Sequence, residues 1–194
     1  MAARETARRS ALAVARRVAR DLRDDGALAV LLAGSHACRD AHAYSDIDLI
    51  AVYDHPRGSR WRVAWAVAHR DGHLVTVTPH TRASARASFR DPRRIPTDIP
   101  GWRAARVLHD PHGVARQLKR EARAFTWEAV GRECDAWVAD ATTGWAEEVH
   151  KLAGMLERHA SSGAAVQRSL LAIRLAPIVA LHRRMLYGTE NVLW

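Results

Sequence analysis

Asp46 and Asp48 stand two residues apart in Ser45-Asp46-Ile47-Asp48-Leu49. On an extended strand, side chains two apart share a face. Two carboxylates held that close repel each other unless a cation lies between them. Magnesium, which prefers carboxylate and phosphate oxygens, is the natural cation for the pair. Ile47 and Leu49 alternate with the aspartates and are expected to anchor them from the apolar face of the strand. A gap of ten residues separates Asp46 from Gly34-Ser35, which ends the short apolar run Ala27–Ala33. Glycine lets a backbone approach a phosphate closely, and amide groups with the Ser35 hydroxyl can bind its oxygens. The chemistry implied is nucleotidyl transfer. Magnesium would bridge the carboxylates and a nucleoside triphosphate, an acceptor hydroxyl would attack the α-phosphorus in line, and pyrophosphate would leave. The plainer readings are a solvated strand end for the aspartates and a simple turn or N-cap for Ser35.

The elements that must position these residues follow from periodicity. Residues 4–24 predict a helix, with Leu12, Ala15, Val18, Ala19 and Leu22 on one face. The run Ala27–Ala33 predicts a buried strand, Ile47–Val52 a second, and His73–Thr78 a third that Pro79 stops. A helix over 59–69 would set Trp61 and Trp65 one turn apart, and Asp71-Gly72 is a turn signal. Segment 81–101, with Pro92, Pro96 and Pro100, reads as an extended loop with a short helix, and Arg106–His109 as a brief strand. From Pro111 the pattern is helical, over 111–125, 126–140, 142–160 and 163–187, with Pro177 kinking the last helix. The fold class expected is therefore α+β. Residues 1–110 form a mixed sheet with flanking helices, and residues 111–194 form a helical bundle.

The 194 residues are 48% hydrophobic and 26% charged, enough to bury a core without staples. Cys38 and Cys134 stand alone and far apart, so a disulfide framework or a structural zinc site is not expected, and a reducing, cytoplasmic setting fits. No run of about 18 apolar residues is present, so no membrane span is expected. The arginines recurring through Arg23 do not resemble a signal peptide. The formal net charge of +9 comes from arginine rather than from the two lysines, Lys119 and Lys151. These arginines do not cluster with aromatics as a single-strand nucleic-acid track would, so nucleic acid is not the expected partner.

Gly34-Ser35, the ten-residue gap and Ser45-Asp46-Ile47-Asp48 resemble the signature of the DNA polymerase β-like nucleotidyltransferase superfamily. Within it, the chain is most similar to the kanamycin (aminoglycoside) nucleotidyltransferases. That likeness includes Tyr44-Ser45 before the first carboxylate, Val107-Leu108-His109-Asp110, Glu147-Glu148-Val149-His150-Lys151, and Ala180-Leu181-His182-Arg183-Arg184 through Tyr187. The resemblance implies a nucleotidyltransferase α/β domain followed by helices. It implies magnesium on Asp46 and Asp48, the terminal phosphates of ATP or another NTP on Gly34 and Ser35, Glu147 as general base, and Lys151 on the nucleotide phosphates. It also implies a homodimer in which the helical half of one subunit completes the site of the other, and a small hydroxylated acceptor such as an aminoglycoside-like antibiotic. Two departures stand out. Thr76 occupies the position of the family's third carboxylate, and the sequence ends at Trp194 where the family continues through further helices.

Each assignment has a competitor. Glu147 and Lys151, four apart, could be an ordinary helix-surface ion pair. The tryptophans are expected to be mostly core, with Trp102, in a Pro/Gly segment, the foremost candidate among them for base stacking, while the histidines show no metal-ligand spacing. Between Thr126 and His150 lie six acidic residues, Glu128, Glu133, Asp135, Asp140, Glu147 and Glu148, opposed in that stretch only by Arg132. This patch either lines an acceptor pocket and draws a cationic acceptor, or is the acidic face that helices need for solubility. Alternatives at the level of function are a catalytically inactive nucleotide-binding homologue, an antitoxin-type nucleotidyltransferase that modifies a protein partner, and nucleotide addition to RNA.

Overall fold

The computed structural model describes residues 2–38, 40–42, 44–56, 67–189 and 193, with side chains from residue 9 onward. Among these residues the chain is α+β, with seven α-helices and one five-stranded mixed sheet. The strands are β1 (Ala29–Leu32), β2 (Ile47–Tyr53), β3 (Val67–Arg70), β4 (His73–Thr81) and β5 (Arg106–His109), in the order β3-β4-β2-β1-β5. β2 and β4 are parallel, and every other neighbouring pair is antiparallel. The helices are α1 (Ala2–Asp24), α2 (Gly34–Cys38), α3 (Arg82–Ser88), α4 (Ile95–Ala104), α5 (Val114–Arg123), α6 (Gly131–Glu157) and α7 (Ser161–His182). A 3₁₀ turn spans Trp127–Ala129.

The core of the sheet follows from the apolar patterns. Ala11, Val14, Ala15, Val18 and Leu22 recur at helical spacing on α1 and are buried against β1 and β2. All four residues of β1 are buried, as a continuous apolar run in a central strand should be. Asp71 and Gly72, with φ of 47° and 79°, form the tight turn between β3 and β4.

Two compact units result. One is Met1–Phe89 with Pro100–Ala124, and the other is Arg90–Ile99 with Phe125–Trp194. The boundary expected after residue 110 therefore differs from the one found. α5 belongs with the sheet, and the proline-rich segment 90–99 belongs with the C-terminal helices. The first unit is tied through Lys119 on α5, whose ammonium donates to the carbonyls of Trp102 (3.1 Å), Arg103 (2.9 Å) and Ala105. Replacing Lys119 by methionine keeps the length but removes all three donors. The variant is expected to lose on the order of 2–4 kcal/mol in urea unfolding, and an unchanged midpoint would contradict the role.

Several expectations are corrected. Pro79 does not stop the third strand, because β4 stays paired with β2 past it, from Ala51↔Pro79 to Tyr53↔Thr81. The helix expected over 59–69, with Trp61 and Trp65, lies outside the described residues except for its end, which is strand β3. Segment 81–101 holds two helices. α3 starts at a reciprocal cap, in which the Thr81 hydroxyl accepts from Ser84 N at 3.0 Å and Ser84 Oγ accepts from Thr81 N at 2.8 Å. α4 takes Pro96 into its first turn, where a missing N–H is no loss. Helices 126–140 and 142–160 are one helix, α6, which runs through Gly144. A single interior glycine weakens a helix by only about 1 kcal/mol. Helix 111–125 begins later, at Val114, where the Asp110 carboxylate accepts from the backbone of Ala115 and Arg116. α7, by length and composition, is apolar enough to cross a membrane, although a third of its most apolar window is buried within the chain.

Candidate functional site

Gly34 begins α2 directly after β1 and has φ of +59°, a conformation glycine adopts without strain. A Cβ added there would lie 1.9 Å from Asp48 Oδ2 and 2.9 Å from its Cγ. The Gly34-Ser35 turn thus rests directly on the Asp48 carboxylate, with no room for a side chain between them. The backbone fixes this approach, since Ala33 N donates to the Asp48 carbonyl at 2.8 Å.

The aspartate strand alternates as its sequence requires. Ile47 and Leu49 are buried at 0% and 1% exposure, while Asp46 and Asp48 are only partly covered. Ahead of Asp46, Ser45 closes the loop, its hydroxyl accepting from His42 N at 2.9 Å and its N–H donating to His42 O at 3.0 Å. Across the parallel ladder Asp48 is in register with Thr76. The Thr76 hydroxyl donates to Asp48 Oδ1 at 2.7 Å. The residue at the expected third-carboxylate position is therefore a neutral donor already engaged with the second carboxylate.

Burial is the largest influence on Asp48 and raises its pKa above the ordinary carboxylate value. The Thr76 bond opposes the rise, the neighbouring Asp46 charge adds to it, and His36 opposes it. The folded chain thus holds this proton more tightly than the unfolded chain. An ionised Asp48 consequently weakens the fold above its raised pKa, and that penalty disappears as pH falls below the ordinary value. Asp48→Asn is expected to raise the metal-free melting temperature by a few degrees at neutral pH, with the gap closing in acid. A variant that melts lower than the parent at pH 7 would contradict this.

His36 is the residue that sequence spacing missed. Its Nε2 is buried and has no hydrogen-bond partner among the described residues, and it lies close enough to influence Asp48. Its position immediately after Gly34-Ser35 was the only available signal. Trp102, the foremost candidate for base stacking, is 1% exposed and packs edge-on against His80 and Phe89, so it is a core residue, as expected of most of the tryptophans.

Glu147 and Lys151 lie on α6, in the second unit, and within it they meet each other. Lys151 Nζ is 2.9 Å from Glu147 Oε1 and 2.7 Å from Glu148 Oε1. Glu148, then Glu147, hold the Lys151 ammonium more firmly protonated than usual. Glu148 also accepts from Gln167 Nε2 at 2.7 Å. Glu147 is 76% exposed. Asp135 is paired with Arg184 at 2.7 Å. The acidic stretch is therefore opposed by cations the linear reading did not count, Lys151 and Arg184, and is a weaker attractor than its composition implies.

Among the described residues no group of three or more His, Cys, Asp or Glu could hold a metal ion. The donor set still fits magnesium brought by a nucleotide. That ion keeps several waters and takes one or two carboxylates plus substrate phosphates rather than an all-protein cage. Glycine at position 34 keeps the backbone bare where it meets the Asp48 carboxylate. No protein-family model matches the chain, and no curated protein matches it.

Proposed function

We propose that the chain is a magnesium-dependent nucleotidyltransferase of the DNA polymerase β-like kind. In this reading it moves a nucleoside monophosphate, AMP from ATP in the first instance, to a hydroxyl of a small molecule such as an aminoglycoside-like antibiotic. The observation that carries the reading is the direct seating of the Gly34-Ser35 turn on the Asp48 carboxylate. That contact joins a phosphate-binding turn to a carboxylate pair at a distance only glycine permits. Asp46 and Asp48 would hold the ion, and Gly34 and Ser35 the terminal phosphates. When bound, magnesium neutralises phosphate charge as a Lewis acid. Glu147 would take the acceptor proton and Lys151 would touch the phosphates, supplied by the helical unit of the partner in a cytoplasmic homodimer. Glu147 suits that role by its exposure, and Lys151 holds it in place.

A second reading, an inactive nucleotide-binding homologue, is favoured by one observation. Thr76 satisfies Asp48 by a hydrogen bond where a third carboxylate is expected. Pyrophosphate release from each NTP, with magnesium and a panel of aminoglycosides and other hydroxylated antibiotics, separates the two. A transferase gives release that needs an acceptor and vanishes in the double variant Asp46→Asn, Asp48→Asn. Magnesium-dependent ATP binding without release for any acceptor supports the inactive homologue or a macromolecular acceptor, either an RNA or a protein modified in the antitoxin manner.

A further inference from the structure

The helical unit contains a cavity of about 290 Å³ that the proposed transfer chemistry does not use. On α6, Trp137, Ala141 and Trp145 recur every four residues and so stack along one face. The small Ala141 between two indoles leaves a hollow with aromatic walls at both ends. α7 closes the opposite wall with Arg174 and Pro177. Pro177 has no N–H, so the helical bond it would otherwise give to the Ile173 carbonyl cannot form, and both residues line the cavity.

Tyr187 forms a further side and is set there by the same logic. Pro100 brings no N–H to the Pro96 carbonyl, and that carbonyl instead accepts from Tyr187 N at 2.9 Å and Gly188 N at 3.2 Å. The charges lining the cavity are cationic. Arg93 is engaged by Asp91 through two bonds, at 2.9 and 3.1 Å. The Arg174 guanidinium has no hydrogen bond or ion pair with any described residue. Among the described residues no carboxylate lines the cavity, which disfavours the cation that an aromatic enclosure could otherwise accept.

We propose that this cavity is a binding site for a small planar aromatic acid. Its ring packs between Trp137 and Trp145 over Ala141, its carboxylate faces Arg174, and a ring N–H or O–H meets the Ile173 carbonyl. The volume lies at the small end of ligand sites, which suits a one- or two-ring molecule. The site lies wholly within the helical unit and does not depend on the transferase reading.

Calorimetric titration of the full chain with indole-3-propionate, tryptamine and 3-methylindole tests it, because the three share a ring and differ in charge. Indole-3-propionate is expected to bind at submillimolar concentration and tryptamine at least about tenfold more weakly, since opposite charges meet in one case and like charges in the other. Ala141→Leu fills the hollow and is expected to abolish binding in a chain that circular dichroism shows to be folded. Arg174→Gln, on an exposed residue, is expected to erase the preference for the acid. The proposal is overturned if tryptamine binds as well as the acid, if no indole binds at millimolar concentration, or if Arg174→Gln leaves the preference intact.

Discussion

Gly34→Ala is expected to abolish metal-dependent nucleotide binding, with a fall in affinity of at least about a hundredfold. The reason is geometric. The new methyl would sit 1.9 Å from Asp48 Oδ2 and 3.3 Å from Asp48 Cβ, and the first separation is one that real side chains do not adopt. Either the carboxylate swings away or the turn moves, and both separate the proposed phosphate cradle from the proposed ion ligand. The positive φ adds strain of roughly 1–2 kcal/mol for any residue with a Cβ. Urea unfolding should therefore show a modest loss of stability, and titration with Mg-ATP a near-complete loss of binding. A folded Gly34→Ala variant that binds Mg-ATP like the parent would show that the turn is structural only.

The second large effect is expected at Thr76. Asp48 and Thr76 face each other in register on parallel strands, and their side chains already touch. Thr76→Asp exchanges a hydrogen-bond donor for a like charge beside a half-buried carboxylate. Without metal the variant should be destabilised by about 1–3 kcal/mol at neutral pH, recovering as acid protonates one of the pair. With metal the same three carboxylates form a more complete hard-oxygen set, and magnesium or manganese affinity should rise on the order of tenfold or more. Melting temperature measured across a metal titration reads both effects at once. A variant that is destabilised but gains no metal affinity would mean that Asp48 and Thr76 form a structural pair rather than the edge of an ion site.

The contrast between these residues shows what the sequence made legible. α1 and β2 were readable because each is long enough to display a period, and β1 because its short apolar run is unbroken. The shared face of Asp46 and Asp48 follows from the same alternation, since Ile47 and Leu49 have only one buried place to go. The glycine was read as a place where the backbone could approach a phosphate, and its contact with the Asp48 carboxylate appears only in the fold. Features set by partners distant in sequence were illegible. Pro79 sits within a strand because β2 continues alongside it, and nothing local to Pro79 says so. Gly144 fails to break α6 because one weak residue cannot outweigh the packing of a long helix. Trp102 is buried by His80 and Phe89, and Asp135 is neutralised by Arg184, contacts that only the fold supplies. Lys119 is one of only two lysines, and its sequence neighbourhood gives no hint of the three carbonyls it joins.

The central claim is that the Gly34-Ser35 turn and the Asp46/Asp48 pair together hold a metal-bound nucleoside triphosphate. Calorimetric titration of ATP into the full chain, with magnesium and then with EDTA, tests it most directly. The account expects one ATP per chain with magnesium, and loss of that binding both in EDTA and in the Asp46→Asn, Asp48→Asn variant. ATP binding that persists without metal, or that survives in the double variant, would contradict it.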